Sequence, residues 1–255
     1  MVWERSLSYG TSIRELERCV DAIAFYLNYR YSPLFFFAPM KQSKGSLETL
    51  KSNWESLLQP FQLDPRVTQR VFLDLVTAYS SAARFYHTLE HIQHILEIIN
   101  ELRLLATNFP ALQLAAWFHD AIYDSRANDN EEKSADYTVV ALNQLEIPIV
   151  IIDRVKLLIL TTKTHQALTT DLDSQILLDA DLAILGADEL DYHAYARAIR
   201  QEYSWVPDKL YQLRRKQLLH NFLNREKIYF TNHLFNKLEA RARRNLQEEI
   251  AVLSE

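Results

Sequence analysis

Glycine is almost absent from this chain, which has only Gly10, Gly45 and Gly186 in 255 residues. A glycine-rich phosphate loop and a dinucleotide-binding turn each need several glycines close together, so both are excluded. Tight hairpins also rely on glycine, and the seven prolines add further breaks. The composition therefore favours helices that are joined by short connections over a fold with many hairpins.

The chain is long enough and, at 48 % hydrophobic residues, apolar enough to bury a substantial core. We expect one domain with an appendage, or two small domains. The lone Cys19 excludes an internal disulfide framework and a cysteine-type zinc site, and it fits a reducing cytoplasm. The apolar stretch PLFFFAPM at 33–40 is too short to span a bilayer, so we expect neither a signal peptide nor a membrane partner.

The net charge of −5 hides an uneven distribution along the chain. Residues 197–244 hold twelve Lys and Arg residues against four Asp and Glu residues. This excess indicates a solvated helical face, with a phosphate-attracting surface as the alternative. Because the whole chain is acidic, we do not expect nucleic acid as a partner.

Two segments differ in pattern: an N-terminal helix and linker over residues 1–45, and a helical main body over 46–255. In the first segment, apolar residues at four-three-four spacing predict an amphipathic helix; they are Leu16, Val20, Ile23 and Leu27. The stretch SPLFFFAPMKQSKGS then breaks this pattern with two prolines, a glycine and serines, which is typical of a linker.

The main body reads as a series of helices with recognisable starts. Asp64 before Pro65 and Asn108 before Pro110 are both typical of helix N-termini. We find no alternating strand pattern. The helices are predicted over 64–79, 86–105, 108–123, 131–146, 150–163, 174–186, 188–205, 208–225 and 231–253.

Three of these helices carry an ionisable residue within their apolar stripe. With about 100° of rotation per residue, His91 falls on the side of Ile95 and Ile98. His119 falls on the side of the small Ala115, and Asp181 falls among leucines and isoleucines, whereas Asp179 points largely away. One buried histidine is commonly satisfied by a backbone carbonyl. Several such groups on three helices favour a shared partner, because an unpaired buried carboxylate is costly.

Two imidazoles and two carboxylates that converge in a helical core suit a divalent metal ion. Candidates are Mn, Mg, Fe, Co, Ni and Zn; the carboxylates favour Mn or Mg. Such a site leaves coordination positions for water and a substrate oxygen, and a coordinated water becomes a nucleophile near neutral pH. That chemistry is hydrolytic, most naturally on a phosphoester.

The order His, His-Asp, Asp resembles the HD superfamily of metal-dependent phosphohydrolases. The resemblance is carried by YHTLEHIQHIL, AAWFHDAIYD and LLDADLAIL, and it covers residues 65–190. The longer stretches RFYHTLEH, FHDAIYD, DNEEKSAD and LLDADLAILG look like one bacterial branch of predicted HD phosphohydrolases. The resemblance implies an all-α HD-domain helical bundle, here with an extra N-terminal helix and C-terminal helices.

The resemblance also implies the metal ligands, which are His91, His119, Asp120 and Asp181. His87 likewise precedes the His-Asp pair, and helix phase favours His91 as the first ligand. Binuclear HD phosphodiesterases carry additional histidines before the final Asp. This chain offers only one there, so we expect one divalent ion, with a second left open.

Further residues are assigned by the same resemblance, and each has a plainer alternative. His165 would contact the substrate phosphate or a second metal, or it is a helix-end histidine; Lys163 is a weaker candidate. Arg84 and His87 would hold a phosphate at the mouth, or they form surface pairs. Glu131 would orient the attacking water, or it belongs to a helix-opening charge cluster. The expected catalytic residues are Asp120, His165, Lys163 and Arg84.

The sequence thus predicts a cytoplasmic metal-dependent phosphohydrolase that acts on a nucleotide or another small phosphorylated metabolite. A homodimer is one assembly that the sequence allows. An oxygenase on the same fold would need more His and Asp ligands than can be placed. The remaining alternative is a non-catalytic helical domain that binds a ligand or partner and has a structural or vestigial metal site.

Overall fold

The computed structural model describes residues 44–254, with side chains from Leu47 onward, and this part of the chain is all-helical. The all-α prediction is confirmed, and no strand occurs between these bounds. Within residues 44–254, two short 3₁₀ segments, Gln59–Phe61 and Leu182–Gly186, accompany ten α-helices. The helices are α1 (Lys44–Leu58), α2 (Pro65–Tyr79), α3 (Leu89–Glu101), α4 (Phe109–Phe118), α5 (Asn130–Gln144), α6 (Ile149–Thr162), α7 (Leu172–Asp181), α8 (Glu189–Glu202), α9 (Asp208–Leu223) and α10 (Asn232–Val252).

The predicted N-terminal helix and linker lie, except for their last two residues, outside the described residues. The predicted helix starts at Asp64–Pro65 and at Asn108–Pro110 are confirmed. The side chain of Asp64 accepts a hydrogen bond from the backbone N–H of Arg66 at 2.8 Å, and Pro65 is the first residue of α2. None of the described helices is both long and apolar enough to cross a membrane.

Helix α4 lies at the centre of the described core. Its residues from Ala111 onward are all apolar or small except for one glutamine, and the apolar ones have no exposed surface. Ala115 and Ala116 keep its surface thin, which lets α3, α6 and α7 pack against it. At its other side Trp117 meets Trp54 of α1 edge to face, with ring centroids 5.5 Å apart.

A buried carboxylate joins the start of α4 to α7. Asp173, which has no exposed surface, accepts hydrogen bonds from the backbone N–H of Thr107 at 2.8 Å and of Asn108 at 3.1 Å. Arg154 on α6 donates to Asp173 at 3.2 Å and also pairs with Asp171, which is the N-cap of α7. These bonds hold α4, α6 and α7 in one arrangement.

Two predicted helices are shorter than the sequence pattern indicated. The helix predicted over 86–105 spans only Leu89–Glu101, and it starts late because the backbone N–H groups of residues 85–87 bond to a distant carboxylate. The helix predicted over 108–123 stops at Phe118. Its following carbonyls, those of Asp120 and Ala121, accept hydrogen bonds from Arg84 at 2.7 and 3.1 Å. The His-Asp pair therefore lies on the turn after α4.

Helix α10 can pack closely against the 3₁₀ segment that follows α7 because residue 186 is glycine. A Cβ atom at Gly186 would lie 2.6 Å from the Cβ of Leu238 on α10, closer than such atoms approach in proteins. Asn245 on α10 also donates to the carbonyl of Leu185 at 2.9 Å. Helix α10 thereby fixes the turn that follows Asp181.

We predict that Asp171→Ala lowers the free energy of unfolding by about 1–2 kcal/mol, because α7 loses its N-cap and Arg154 loses a partner. Hydrogen bonding from Arg154 lowers the pKa of Asp171 from its usual 3.8 to about 2. The contribution of Asp171 is thus complete above pH 3.8 and is lost as the pH falls through about 2.

Denaturant unfolding of the wild type and the variant at several pH values measures this difference. Asp153→Ala is the control, since Asp153 is exposed on α6 beside Arg154. Equal effects of the two substitutions would contradict the proposed contribution of Asp171.

Candidate metal centre

Two histidines and an aspartate from three separate segments meet in the helical core. The ligand atoms of His91 on α3, His119 after α4 and Asp181 at the end of α7 all lie within 4.8 Å of one another. Both histidines are buried, at 4 % and 2 % exposure. The structure thus brings together three of the four predicted metal ligands in an all-helical setting, which is consistent with an HD-type metal site.

The fourth predicted ligand, Asp120, lies beside this cluster. Its Oδ2 is 3.1 Å from Nε2 of His119 and 4.0 Å from Nε2 of His91. On the other side, Oδ1 of Asp181 lies 3.3 Å and 3.7 Å from the same two nitrogens. The two imidazoles therefore face two carboxylates.

The Nε2 atoms of His91 and His119 are buried, and neither has a hydrogen-bond partner. His119 places Nδ1 3.0 Å from the carbonyl of Ala116, so Nδ1 carries the proton in the neutral ring and Nε2 carries a lone pair. The carbonyl of Ala116 thus satisfies Nδ1 of His119 and leaves its Nε2 without a partner. Two unpaired buried nitrogens are costly without a further partner.

The charges of the cluster also call for a cation. Although burial opposes ionisation, the surrounding histidines hold the pKa values of Asp120 and Asp181 well below their usual range, so both carboxylates are ionised. Burial lowers the pKa of His91. The pKa of His119 is raised against the effect of burial, because Asp120 and Asp181 favour positive charge there. A divalent ion would supply positive charge at the same place. Imidazole nitrogens and carboxylate oxygens together are ligands that such an ion accepts.

The cluster opens into a cleft of about 770 Å³. His119, Asp120 and Asp181 line this cleft, whereas His91 is enclosed. The volume is in the range of sites that hold small organic ligands. A ligand can therefore reach the carboxylates.

His165 stands at the edge of the cluster and lines the cleft. Its Nε2 lies 3.1 Å from Oδ2 of Asp181. The backbone at His165 has a φ of 49°, a left-handed conformation that residues other than glycine adopt infrequently. Arg225 donates to its carbonyl at 2.9 Å and so helps to hold the residue in this conformation. Backbone strain of this kind is often found at functional sites.

His87 also lines the cleft and is held by Glu202, a residue that sequence reasoning missed. The buried Glu202 carboxylate lies 2.7 Å from Nδ1 of His87 and accepts the backbone N–H groups of residues 85–87. It also accepts the hydroxyl of Tyr123 at 2.8 Å. Nε2 of His87 lies 3.9 Å from Asp120. A signal existed, because Glu202 follows the buried Ile199 by three residues on the same helix.

The other predicted substrate contacts divide into two groups. Arg84 is buried and donates to the carbonyls of His87, Asp120 and Ala121; it does not line the cleft. In this position Arg84 supports the His-Asp turn, and its contact with a phosphate stays a prediction. Lys163 and Glu131 do line the cleft, and Lys163 pairs with Glu132.

Asp179, the first acid of the DAD sequence, is directed away from the cluster as predicted, yet it is fully buried. Its carboxylate accepts the backbone N–H groups of Phe230 and Thr231, both at 2.7 Å. It therefore fixes the start of α10 and leaves Asp181 as the acid that faces the histidines.

Comparisons of this chain with protein-family models, curated proteins and solved structures find no match.

We predict that Glu202→Gln lowers the free energy of unfolding at neutral pH by about 3 kcal/mol. Burial raises the pKa of Glu202, but hydrogen bonds from His87 and from backbone N–H groups prevail and lower it from 4.5 to about 2. The stabilisation is complete above pH 4.5 and is lost as the pH falls through about 2.

Denaturant unfolding as a function of pH tests this expectation. Glu189→Gln serves as the control, because Glu189 is an exposed residue on the same helix. A Glu202→Gln protein that keeps the wild-type pH dependence would contradict the prediction.

Proposed function

We propose that this protein is a metal-dependent phosphohydrolase of HD type. Its substrate is a nucleotide or another small phosphorylated metabolite. One observation carries the proposal: two buried histidine nitrogens without hydrogen-bond partners face two carboxylates at one end of an accessible cleft. A core stabilised by helix packing alone has no use for this arrangement, whereas a divalent ion satisfies each of its groups.

The ligand set of the proposal is His91, His119, Asp120 and Asp181, which hold one divalent ion. Two imidazole donors favour a transition metal, and two carboxylates keep the set hard, so Mn²⁺ is the first candidate and Mg²⁺ the second. Fe, Co, Ni and Zn are compatible with the same donors. We further propose a cytoplasmic location, from the single cysteine of the chain.

The bound ion would supply Lewis acidity, which lowers the pKa of a coordinated water and polarises a phosphoryl oxygen. The residues of this chain would then orient the phosphate. His165 lines the cleft with Nε2 3.1 Å from Asp181, so it can present a proton at that atom to a phosphate oxygen. His87 is oriented through Nδ1 by Glu202, which directs its Nε2 towards Asp120.

The open cleft favours a catalytic metal site over a structural one. A structural metal is usually enclosed by protein ligands, whereas a catalytic metal keeps a position for water or substrate. Here Asp120 and Asp181 line the cleft and their side chains are each 15 % exposed. A substrate oxygen can approach the ligands from that side.

We predict that the purified wild type binds about one equivalent of a divalent ion and that His91→Ala and Asp181→Ala lose it. Elemental analysis gives the stoichiometry. Thermal unfolding gives a second readout: at about 100 times Kd, a bound ion stabilises the fold by about 3 kcal/mol, and both variants should lose this increment. Turnover of phosphoesters with the bound metal should be lost in both variants.

The control is His193→Ala, because His193 is an exposed histidine on α8. It should bind metal as the wild type does. A wild type that stays empty after exposure to Mn²⁺, Fe²⁺, Co²⁺, Ni²⁺ and Zn²⁺ would sink the proposal. Full turnover by Asp181→Ala would show that the metal ligands are different.

A further inference from the structure

Beyond the metal centre, part of the cleft wall is apolar and open to solvent, although Arg214 on α9 also lines the cleft. Leu210 and Leu218 on α9 each line it at 45 % exposure, and Trp205, just before α9, lines it at 46 %. Phe222, one turn after Leu218, continues the wall towards His165, with ring centroids 6.1 Å apart. Exposed apolar side chains that line one concavity are a common mark of a ligand site.

Several polar groups of the same cleft are already hydrogen-bonded to protein. Ser125 donates to the carbonyl of Glu202 and accepts from the Trp205 indole, both at 2.9 Å. Tyr195 accepts from Arg215 at 3.3 Å, and Tyr123 donates to Glu202. A ligand rich in hydroxyl groups would compete with these bonds, and each of its hydroxyls left without a partner would weaken its binding.

The apolar wall and the metal centre belong to one cleft, whose volume of about 770 Å³ exceeds what a phosphate group needs. A phosphoester whose phosphate is bound by the proposed ion at Asp120 and Asp181 must extend its alcohol portion along the cleft. On α9 it meets the apolar side chains of Leu210, Leu218 and Phe222, with Arg214 beside them. The wall thus has a defined occupant, which is the part of the substrate that the phosphate is attached to.

We propose that the α9 wall is a specificity site for an apolar or aromatic alcohol, so that, within the proposed range of substrates, a small phosphoester of such an alcohol is preferred to a nucleotide, a sugar phosphate or a glycerol phosphate. This inference rests on the proposed function, because the phosphate end is placed at the metal centre. It adds the choice of alcohol and assigns that choice to Leu210, Leu218 and Trp205.

Binding of phosphonates to the Mn²⁺-loaded protein tests the inference, because the carbon–phosphorus bond of these probes resists hydrolysis. Calorimetry would compare 1-naphthylmethylphosphonate with 3-hydroxypropylphosphonate. We expect the naphthyl compound to bind at least about tenfold more tightly, from the apolar surface that it buries. Leu210→Gln and Leu218→Gln should each weaken naphthyl binding by about fivefold and so reduce its advantage over hydroxypropylphosphonate.

The matched control is Leu213→Gln, because Leu213 is 61 % exposed on the same helix and does not line the cleft. It should bind both probes as the wild type does. Equal affinity for the two phosphonates, or naphthyl binding unchanged by both cleft substitutions, would overturn the inference and leave the proposed function standing. Protein that binds Mn²⁺ and neither phosphonate would overturn the phosphate site itself, and the inference with it.

Discussion

The convergence of two unpaired imidazole nitrogens and two ionised carboxylates in a helical core is the constraint on which the rest of the structure depends. Each group would be costly to bury by itself, and together they create a local demand for positive charge. The demand can be met only if α3, α7 and the turn after α4 stay close together. The small residues of α4 and the apolar faces of its neighbours supply that closeness.

The loops around the cluster are held in position by further buried carboxylates. Glu202, Asp173 and Asp179 each accept at least two backbone N–H groups from a loop that adjoins the site or its helices. A carboxylate that caps several amides is a strong, directional anchor, and it holds a loop that apolar packing would leave free to adjust. Arg84 holds the His-Asp turn in the opposite way, because its guanidinium donates hydrogen bonds to the backbone carbonyls of the turn. The loops around the site are thus positioned by charge, and the helices by packing.

The cleft combines a charged floor with an apolar wall. The floor of histidines and aspartates suits an ion and a phosphate, whereas the leucines of α9 offer surface without directional hydrogen bonds. In the proposed enzyme these two parts divide the work. The floor would determine the reaction, and the wall would determine which alcohol is attached to the phosphate. A change in one part need not alter the other.

The sequence by itself determined the helical architecture and the cluster of His91, His119 and Asp181, because helix periodicity is local and shows which polar residue falls in an apolar stripe. Helix phase placed these three residues on apolar faces, and the resemblance to HD phosphohydrolases made them candidate metal ligands. Helix ends, the anchors and the cleft wall were decided only by tertiary structure. Glu202 and His87 lie 115 residues apart in sequence, so no local pattern joins them. The carbonyls that Arg84 binds likewise come near it only when the chain has folded, so the sequence did not show these contacts.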